Sequence, residues 1–514
     1  MKINRIAIIG GGTAGWLAAN HLGAELHLDP SVRITVIESP DIPTIGVGEG
    51  TVPAIKKSLR KFGISEAELM VSCDATFKLG IKFENWLDAS VHGHGHYYYH
   101  PFTPPYPGGF DVTPYFLENR DTLQFSELTE ALAVAQAQRS PKRISSEPYQ
   151  GEVEYAYHVN AQKFAVLLAK NAQEKYGVFH QSATVVGAER SADGAIESLV
   201  LEGGERLPFD FYIDCSGFSG LLVGKVLDTP FVDKSHQILT NRALVQQVIT
   251  GEGDEVPPYT QATAHSAGWM WDIPVFNRRG TGFVYASAHM TDEQAAAQFQ
   301  ARLGISNSQF SPRKIPMAIG YRKDFWAHNC IALGLSHGFV EPLEATSILL
   351  TDFSADLFSQ NFPRYRAEMH RLREHCNRIV ECAWERTIDF VQMHYLLSDR
   401  CDSDFWNANR ASPHVSDHLS SLLERWRVLP PKNSDLLYRF ELFDVSNYLH
   451  VLYGMRFDTR SLPISGFVRS QSQAAVEQVA KKATFLSTHL PGHREWLVGL
   501  REAVLQTEKL ADRS

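Results

Sequence analysis

The chain has 514 residues, of which 44% are hydrophobic and 11% aromatic, and its formal net charge is −9. At roughly 150 residues a domain, this length suits two or three domains, and an acidic balance without a basic tract argues against nucleic acid and cationic membrane-binding surfaces. The six cysteines show neither a C-x-x-C pair nor a zinc spacing, which predicts a reduced, cytoplasmic protein. No signal peptide or membrane span is expected, because glycine interrupts the first apolar run after four residues and no other run could cross a bilayer.

The chain opens with a strand, a glycine-rich turn, a helix and a second strand. Residues 6–9 are a short apolar run typical of a buried parallel strand, and residues 33–37 form the next one. Between them, residues 10–15 read Gly-Gly-Gly-Thr-Ala-Gly and fit G-x-G-x-x-G, and a helix begins near Trp16. In this context the motif is a dinucleotide-binding fingerprint. The alternative interpretation is a glycine-rich turn without a ligand.

The residues of the fingerprint have separate roles. Gly10 permits the tight turn, Gly12 lets the backbone approach a pyrophosphate, and Gly15 lets the helix pack on the strand. The helix start, with Thr13–Ala14, offers free N–H groups and a positive dipole to the phosphates. Glu38 ends the second strand, where its carboxylate can accept hydrogen bonds from the adenosine ribose. A carboxylate there disfavours a 2′-phosphate, so FAD or NAD is favoured over NADP.

Further along the chain, pattern and composition predict alternating strands and helices. The first half is predicted to contain a glycine-rich loop over 45–53, a strand over 77–83 with both of its lysines on one face, an irregular loop over 92–110, helices over 126–139 (with Ser126 as its N-cap) and 161–176, a β-meander over 184–207, and a strand over 209–214. The second half is predicted to contain antiparallel strands over 237–287, a strand over 331–334 leading by a loop to a helix near Glu344, and helices beyond Pro363, including two within 473–510.

This layout predicts a mixed α/β (α+β) fold with three parts. These are a G-x-G-x-x-G βαβ FAD module of the flavoprotein-monooxygenase type, an antiparallel sheet platform and a helical C-terminal substrate module. The expected boundaries are a core over 1–360, with the flavin module assembled from about 1–90, 160–225 and 320–360 and substrate-sheet insertions over 91–159 and 226–319, followed by a helical region over 361–514. Because a second fingerprint for NAD(P)H is missing, a tightly held flavin reduced by a separate protein is favoured over NAD.

Four further motifs together point to one family of flavoproteins. They are Lys78 in Phe-Lys-Leu-Gly-Ile-Lys-Phe followed by Trp86, the loop Gly46-Val47-Gly48-Glu49-Gly50-Thr51, the W-x-W-x-I-P run of 269–274, and Phe-Val-Glu-Pro-Leu-Glu-Ala-Thr-Ser-Ile over 339–348. Together they resemble the flavin-dependent tryptophan halogenases, and the resemblance covers roughly residues 5 to 360.

The resemblance implies a two-component enzyme whose FADH₂ comes from a separate NAD(P)H-dependent flavin reductase. In that family, oxygen and reduced FAD form a flavin C4a-hydroperoxide, and chloride or bromide attacks it to give hypohalous acid, which passes through a tunnel to an aromatic substrate. Lys78 would hydrogen-bond the hypohalous acid or become its haloamine, and so deliver electrophilic halogen. Exclusion of water lowers the pKa of such a lysine. Glu344 would stabilise the cationic arene intermediate or take its proton.

The resemblance assigns further residues to ligands. The expected groups are flavin contacts at Gly48, Glu49, Thr51, Ser336, Phe339 and Pro342; halide-binding loop amides near Thr346 and Ser347; a substrate chamber bordered by His100 and Phe102; and a flavin-site wall of Trp269 and Trp271.

Alternative interpretations accompany several of these residues. Lys82 lies on the same predicted strand face as Lys78, and Glu341 or Glu344 could simply be a carboxylate at a helix start. Trp269 and Trp271 could simply be core residues. The histidines at 92, 94, 96 and 100 suggest a metal, but no carboxylate or cysteine ligand set accompanies them, so no metal is expected.

The substrate and the function class also have alternatives. The usual E-S-T-G of the family is replaced here by Glu-Ala-Thr-Ser over 344–347, and the tyrosine pair that clamps the tryptophan amino acid group has no persuasive match. Free indole or another electron-rich arene is therefore at least as well supported as tryptophan. The rival functions are a flavin-dependent aromatic monooxygenase and a non-catalytic FAD-binding protein with a vestigial site. A homodimer is expected from base rates alone.

Overall fold

The computed structural model describes residues 1–42, 48–437 and 441–511. Residues 45–47 of the second glycine-rich loop, including Gly46 and Val47, lie outside the described residues. The strands are β1 (Arg5–Ile9), β2 (Arg33–Glu38), β3 (Gly48–Gly50), β4 (Thr76–Lys78), β5 (Gly80–Glu84), β6 (Tyr97–Pro101), β7 (Ala156–Asn160), β8 (Phe179–Ser182), β9 (Val185–Arg190), β10 (Ile196–Leu201), β11 (Arg206–Pro208), β12 (Phe211–Asp214), β13 (Phe231–Asp233), β14 (Arg242–Ile249), β15 (Thr260–His265), β16 (Gly268–Val275), β17 (Arg278–Tyr285), β18 (Arg313–Pro316), β19 (Gly320–Arg322), β20 (Trp326–Ala327), β21 (Cys330–Ala332) and β22 (Gly338–Phe339).

The α-helices follow the same chain order. They are α1 (Thr13–Leu26), α2 (Ile55–Phe62), α3 (Glu66–Ser72), α4 (Ala89–His92), α5 (Thr113–Asn119), α6 (Ala131–Gln136), α7 (Ala161–Tyr176), α8 (Asp292–Leu303), α9 (Thr346–Gln360), α10 (Met369–Leu397), α11 (Asp404–Arg410), α12 (Asp417–Val428), α13 (Val445–Gly454), α14 (Gly466–His489) and α15 (His493–Ala511). Short 3-10 turns include Phe125–Leu128, Gly334–Ser336 and Pro342–Glu344.

A largely parallel sheet carries the N-terminal fingerprint. Within the described residues its strand order is β20-β21-β12-β1-β2-β8. β1 lies parallel to both β2 and β12, and β12 lies parallel to β21. The apolar run of β1 is buried, and α1 packs against α7 and α9. The predicted strand–turn–helix–strand unit is confirmed, and the sheet joins segments as distant in sequence as β1 and β21. The division of the chain at residue 360 stays a prediction.

A second, larger sheet forms the predicted platform. In the described chain its order is β18-β14-β17-β16-β15-β5-β6, and its neighbours are antiparallel except for β5 and β15, which are parallel. The predicted meander is also confirmed, as β9, β10 and β11. Helices follow α9 as predicted, and α13 packs on the edge strand β6. Among the described helices, none combines the length and apolar character needed to cross a membrane.

The single strand predicted over 77–83 is wrong. β4 ends at Lys78 and pairs with β7, whereas β5 begins two residues later and pairs with β6 and β15. Between them Leu79 donates its N–H to the Pro258 carbonyl at 2.8 Å. Lys78 and Lys82 therefore belong to different sheets and do not share a strand face. Alternation of apolar and polar residues could not reveal this switch, because the chain stays extended while its pairing partners change.

Two other predictions on the substrate side are corrected. The irregular loop predicted over 92–110 contains β6, built mostly from three consecutive tyrosines, which favour strands. The glycine and histidine on either side concealed it. The helix predicted over 126–139 is interrupted, because Thr129 has extended backbone angles (φ −134°, ψ 155°) that separate a 3-10 turn from the shorter α6. The N-cap of that turn is Gln124 rather than Ser126.

A buried charged cluster joins α1, α2 and α9. His21 on α1 has Nε2 2.8 Å from Asp352 Oδ1 and Nδ1 3.3 Å from Asp356 Oδ1. From α2, Ser58 donates to Asp352 at 2.7 Å and Lys61 donates to Asp356 at 2.9 Å. Burial opposes charge on the ring, but the two aspartates outweigh it and raise the pKa of His21. An imidazolium thus connects the fingerprint helix to the two helices packed against it.

This cluster predicts a pH-dependent contribution to stability. A raised folded pKa means that the stabilisation is complete below the unfolded value of about 6.5 and is lost as pH rises through the folded pKa. We expect His21→Gln to lower the free energy of unfolding by about 2 kcal/mol near pH 6, because Asp352 and Asp356 lose a charged hydrogen-bond donor although Ser58 and Lys61 still contact them. The deficit should shrink towards pH 9 in thermal unfolding scans. His27→Gln, at the exposed end of α1, is the control, and a deficit independent of pH would contradict the assignment.

Candidate active site

The fingerprint turn has the open shape that a pyrophosphate needs. Gly10 has φ 113°, and a Cβ there would lie 2.3 Å from the Cys215 carbonyl oxygen. A Cβ on Gly15 would lie 1.9 Å from the Gly10 carbonyl oxygen, so helix and strand pack as closely as predicted. A Cβ on Gly12 would meet nothing within 4 Å among the described residues. Since α1 begins at Thr13 without a side-chain cap, its first N–H groups face this space, and the turn fits a dinucleotide phosphate.

The two glycines should separate folding from cofactor binding. We expect Gly15→Ala to destabilise the fold by about 1–3 kcal/mol through its backbone clash. Gly12→Ala should leave the unfolding midpoint nearly unchanged, because its extended backbone (φ −79°, ψ −175°) suits alanine. The methyl group would instead occupy the phosphate space and weaken FAD binding by about tenfold, or 1.4 kcal/mol. Differential scanning fluorimetry and flavin fluorescence titration measure the two effects. Unchanged FAD affinity in Gly12→Ala would place the pyrophosphate elsewhere.

Two predicted cofactor residues lie beside this turn. Glu38 ends β2, and its carboxylate would lie 2.1 Å from a Cβ on Gly11, so the acid borders the turn. Its Oε2 is 3.0 Å from His180 Nε2. Ser336 is buried, and its hydroxyl donates to the carbonyls of Asp214 and Leu333. These hydrogen bonds connect the end of β12 to the turn that follows β21.

A cavity is lined by strands of the platform and by the loops that follow β12 and β21. Its walls are mostly apolar and include Gly48, Glu49, Lys78, Trp271, Phe339, Pro342 and Ser347. Burial raises the pKa of Glu49 to about 7. The apolar lining suits a flat aromatic ring system such as a flavin.

The two tryptophans of W-x-W-x-I-P differ in position. Trp271 lines the cavity, and its ring packs over Gly282, where a Cβ would lie 2.2 Å from the indole. Trp269 lies behind it, with ring centroids 6.0 Å apart, and is not among the described cavity-lining residues. Its indole N–H donates to Glu341 Oε1 at 3.0 Å, and Tyr395 donates to the same oxygen at 2.5 Å. Burial raises the pKa of Glu341 to about 7.

Lys78 lies at the end of β4 and borders the cavity. It is only 1% exposed, its Nζ donates to the Thr51 carbonyl at 3.2 Å, and the Phe102 ring centroid is 5.2 Å away. Burial lowers the pKa of Lys78 to about 8, partly opposed by the charge of Glu344. No ion pair joins these two groups in the described structure. Lys82 instead lies over the Tyr97 ring and is half-buried.

Glu344 is buried beside two histidines. Its Oε1 is 3.0 Å from His100 Nδ1 and 2.9 Å from His394 Nε2. Burial opposes ionisation of the carboxyl, but the two rings outweigh it and hold the pKa of Glu344 at about 2. The structure thus brings together His100 and Glu344, which the sequence named. Two residues of this site were not predicted from the sequence. His394 lies 50 residues after Glu344 within the regular helix α10, with no local motif around it, and Asn447 has its side-chain oxygen 3.1 Å from His100 Nε2.

The predicted halide residues begin α9. Ala345 has a left-handed backbone (φ 57°), and it turns the chain into a helix of 15 residues whose N-terminus has no side-chain cap. Thr346 is buried and donates its hydroxyl to the Glu341 carbonyl at 3.3 Å, while Ser347 borders the cavity. Free N–H groups at a helix start favour anions. In the described part of the chain, no group of three or more His, Cys, Asp or Glu side chains is arranged to hold a metal ion.

Comparisons with known proteins agree with this geometry. A family model described as Tryptophan halogenase matches residues 5–467. The chain is 33% identical over 483 residues to tryptophan 7-halogenase RebH of Lentzea aerocolonigenes, covering 88% of this chain and 90% of the relative. It superposes with a TM-score of 0.93 and 34% identity on a tryptophan halogenase from Shewanella frigidimarina NCIMB 400, over 98% of both chains. On BrvH, a flavin-dependent halogenase from Brevundimonas sp. BAL3, the TM-score is 0.86 with 31% identity, over 97% of this chain and 99% of that one. The chain therefore belongs to the tryptophan halogenase family of flavin-dependent enzymes.

Proposed function

We propose that this flavin-dependent halogenase transfers electrophilic halogen through Lys78 to an indole or another electron-rich arene. One observation carries the proposal: a buried lysine lines the cavity and is near enough to the buried carboxylate of Glu344 for that charge to act on it. The reaction uses FADH₂, oxygen and a halide, and the FADH₂ comes from a separate flavin reductase. NAD(P)H is proposed as the electron source of that reductase, and a cytoplasmic homodimer as the working form.

The cofactor and halide are proposed to bind at the sites described above. The reduced flavin, when bound, supplies the electrons that activate oxygen for oxidation of the halide to hypohalous acid. The pyrophosphate would lie on the turn of Gly10, Gly12 and Gly15 and on the first N–H groups of Thr13 and Ala14, with the ribose at Glu38. The ring system would contact Gly48, Glu49, Thr51, Phe339 and Pro342, with Ser336 bracing the adjacent loop. The halide would lie at the N-terminus of α9, near the amides of Thr346 and Ser347.

Lys78 is proposed to activate hypohalous acid as a hydrogen-bond donor. An ammonium in a site without water polarises the O–X bond so that X gains positive character. Glu344 would stabilise the positive charge that develops on the arene. His100 and Phe102 would border the arene on the side of Lys78, and Trp271, backed by Trp269, would separate it from the flavin.

The pH profile tests the protonation state of Lys78. Because burial lowers the pKa of this lysine to about 8, the ammonium donor is lost as pH rises through that value, and we expect product formation to fall above pH 8. The residual rate of Lys78→Met depends only on the flavin reaction and on free hypohalous acid, so the pH profile of this variant is the reference. A Lys78-dependent rate that increases above pH 8 would favour the haloamine over the hydrogen-bonded form.

The substrate proposal rests on what the chain changes relative to its family. Ala345 and Ser347 replace the usual serine and glycine, and no tyrosine pair has been matched that would clamp a free amino acid. Relatives named as tryptophan halogenases support an indole ring, so indole and tryptophan are the substrates to compare. A clearly higher kcat/KM for tryptophan than for indole would refute the proposal that the substrate chamber does not bind the amino acid group of tryptophan.

Mass spectrometry of the products tests the whole proposal. Reactions would contain the protein, FAD, a flavin reductase, NADH, oxygen, either chloride or bromide, and indole or tryptophan. We expect a monohalogenated product that requires both halide and reductase. Hydroxylated product without halogen would instead indicate a monooxygenase, and flavin binding without turnover of any arene would indicate a vestigial site.

A further inference from the structure

The hydrogen bonds around Glu344 fix more protons than the proposed function requires. This inference rests on Glu344 serving that reaction and goes beyond it. Both imidazole rings contact the same oxygen, Oε1, and the three side chains are at most 3% exposed. The positions of the ring protons therefore follow from the atoms on the far side of each ring, since water is excluded from all three groups.

His394 must carry a proton on its far nitrogen. Its Nδ1 lies 2.9 Å from the backbone carbonyl oxygen of Phe390, one turn earlier on α10. A carbonyl oxygen only accepts hydrogen bonds, so Nδ1 is the donor. The nitrogen that faces Glu344 is then protonated only if the ring is an imidazolium.

His100 must also carry a proton on its far nitrogen. Its Nε2 lies 3.1 Å from the side-chain oxygen of Asn447. The orientation of that amide is fixed, because its NH₂ group donates to Asp444 Oδ1 at 2.8 Å, and a carboxylate oxygen accepts. The amide oxygen therefore points to His100, and Nε2 is the donor.

The remaining nitrogen of each ring faces Glu344 Oε1. If both rings were neutral, two nitrogen lone pairs would face Glu344 Oε1. A proton on the carboxyl could satisfy only one of these contacts and would leave the other as a buried repulsion between acceptors. Satisfying both contacts requires two protons between Oε1 and the two nitrogens. Two imidazolium rings and one carboxylate place both protons on nitrogen, which is more basic than a carboxylate oxygen, and give charge-assisted hydrogen bonds on both sides.

We propose that Glu344 is held as a carboxylate between two imidazolium rings, and that His394 is a positioning residue that fixes it as an electrostatic stabiliser rather than as the acceptor of the arene proton. A carboxylate that already accepts two charge-assisted bonds on one oxygen is a weak base. In the transfer itself the O–X bond breaks, a C–X bond forms, and the leaving hydroxide becomes water with the proton that the ring carbon loses. Glu344 remains ionised throughout.

In this state the two imidazolium rings and the Glu344 carboxylate carry a net charge of +1. The titratable groups that face them are Lys78 at the end of β4, Tyr98 on β6, His450 on α13 and Asp444 at the start of α13, the last through Asn447. Burial and the neighbouring His100 lower the pKa of His450 to about 3, so that ring adds no further charge.

Nitrogen NMR of the ligand-free protein tests the proton count directly. With ¹⁵N-labelled histidine, we expect the rings of His100 and His394 to show both nitrogens in the imidazolium range at pH 7.5. His100→Gln and His394→Gln identify their signals among the 21 histidines. Neutral-ring shifts at either position would overturn the proposal. Because no catalysis is involved, this result is independent of whether the protein halogenates indole.

Kinetics test the positioning role. His394→Gln can still donate to Glu344 but lacks charge, so we expect kcat to fall about tenfold at pH 7.5 and an acidic limb, which the unmodified enzyme lacks, to appear between about pH 5 and 7 as the pKa of Glu344 rises. His370→Gln, exposed on the same helix, is the matched control. A lower unfolding midpoint with an unchanged pH profile would reduce His394 to a structural residue. If His394→Gln does not fold, the same pH profile of His100→Gln tests the hydrogen bonds to Glu344 from the other ring.

Discussion

Lys78→Met should reduce halogenated product by on the order of 10³-fold or more, because it removes the donor that activates the O–X bond. Methionine matches the length and volume of the lysine side chain, so the buried end of β4 should still pack. Removing a buried charge also removes its desolvation cost, and the unfolding midpoint should therefore stay within a few degrees of the unmodified value. FAD binding, followed by flavin fluorescence, should be retained. Liquid chromatography with mass spectrometry of the indole product measures the loss.

A matched lysine makes this experiment specific. Lys82→Met removes the same side chain four residues later, from a half-buried position near Glu84. This variant should form product at a rate within about twofold of the unmodified enzyme, because Lys82 neither lines the cavity nor contacts Glu344. Equal product from Lys78→Met and the unmodified enzyme would mean that free hypohalous acid performs the reaction without the lysine.

Glu344→Gln should lower kcat by on the order of 10²–10³-fold, the size seen when one preorganised electrostatic group is removed. Glutamine preserves shape but not charge, so the cation that forms on the arene loses its buried counter-charge. The KM for indole should change much less than kcat, because the effect develops only in the transition state. Since the pKa of Glu344 is held at about 2, the unmodified enzyme should show no loss of activity from this group between pH 5 and 8.

The control for charge removal is Glu374→Gln, which neutralises a carboxylate that is exposed on α10. Its kinetics should match those of the unmodified enzyme. A Glu344→Gln variant with unchanged kcat would exclude an electrostatic role for the carboxylate. A loss confined to KM would make Glu344 a substrate-binding residue instead.

The cofactor half of the fold was predictable because its signals are local. A short apolar run, three spaced glycines and an acid at the end of the next strand all fall within residues 6–38, and each constrains backbone geometry directly. The family resemblance, predicted from four motifs, is confirmed by the comparisons. The break at Leu79 was not predictable in the same way, because it depends on the carbonyl of Pro258, which comes from a distant loop.

The candidate site shows the same division. Lys78 and Glu344 could be named because each lies in a contiguous motif, and the structure places both at the cavity or beside its wall. His394 and Asn447 could not, because their importance arises only when α13 packs on β6 and α10 packs against α13, which brings single side chains to His100 and Glu344. The three tyrosines of β6 were a readable strand signal that glycine and histidine on either side obscured.

The hydrogen bond from Lys78 to the Thr51 carbonyl has a practical consequence for redesign. The ammonium is held by the backbone that immediately follows β3, and β3 lines the cavity in which we propose that the flavin binds. We therefore expect directed-evolution libraries that vary residues 48–51 to improve coenzyme turnover also to shift Lys78, the proposed halogen-delivering group, and with it the regiochemistry. Libraries aimed at new substrates should instead sample β6 and α13, and leave this short stretch fixed.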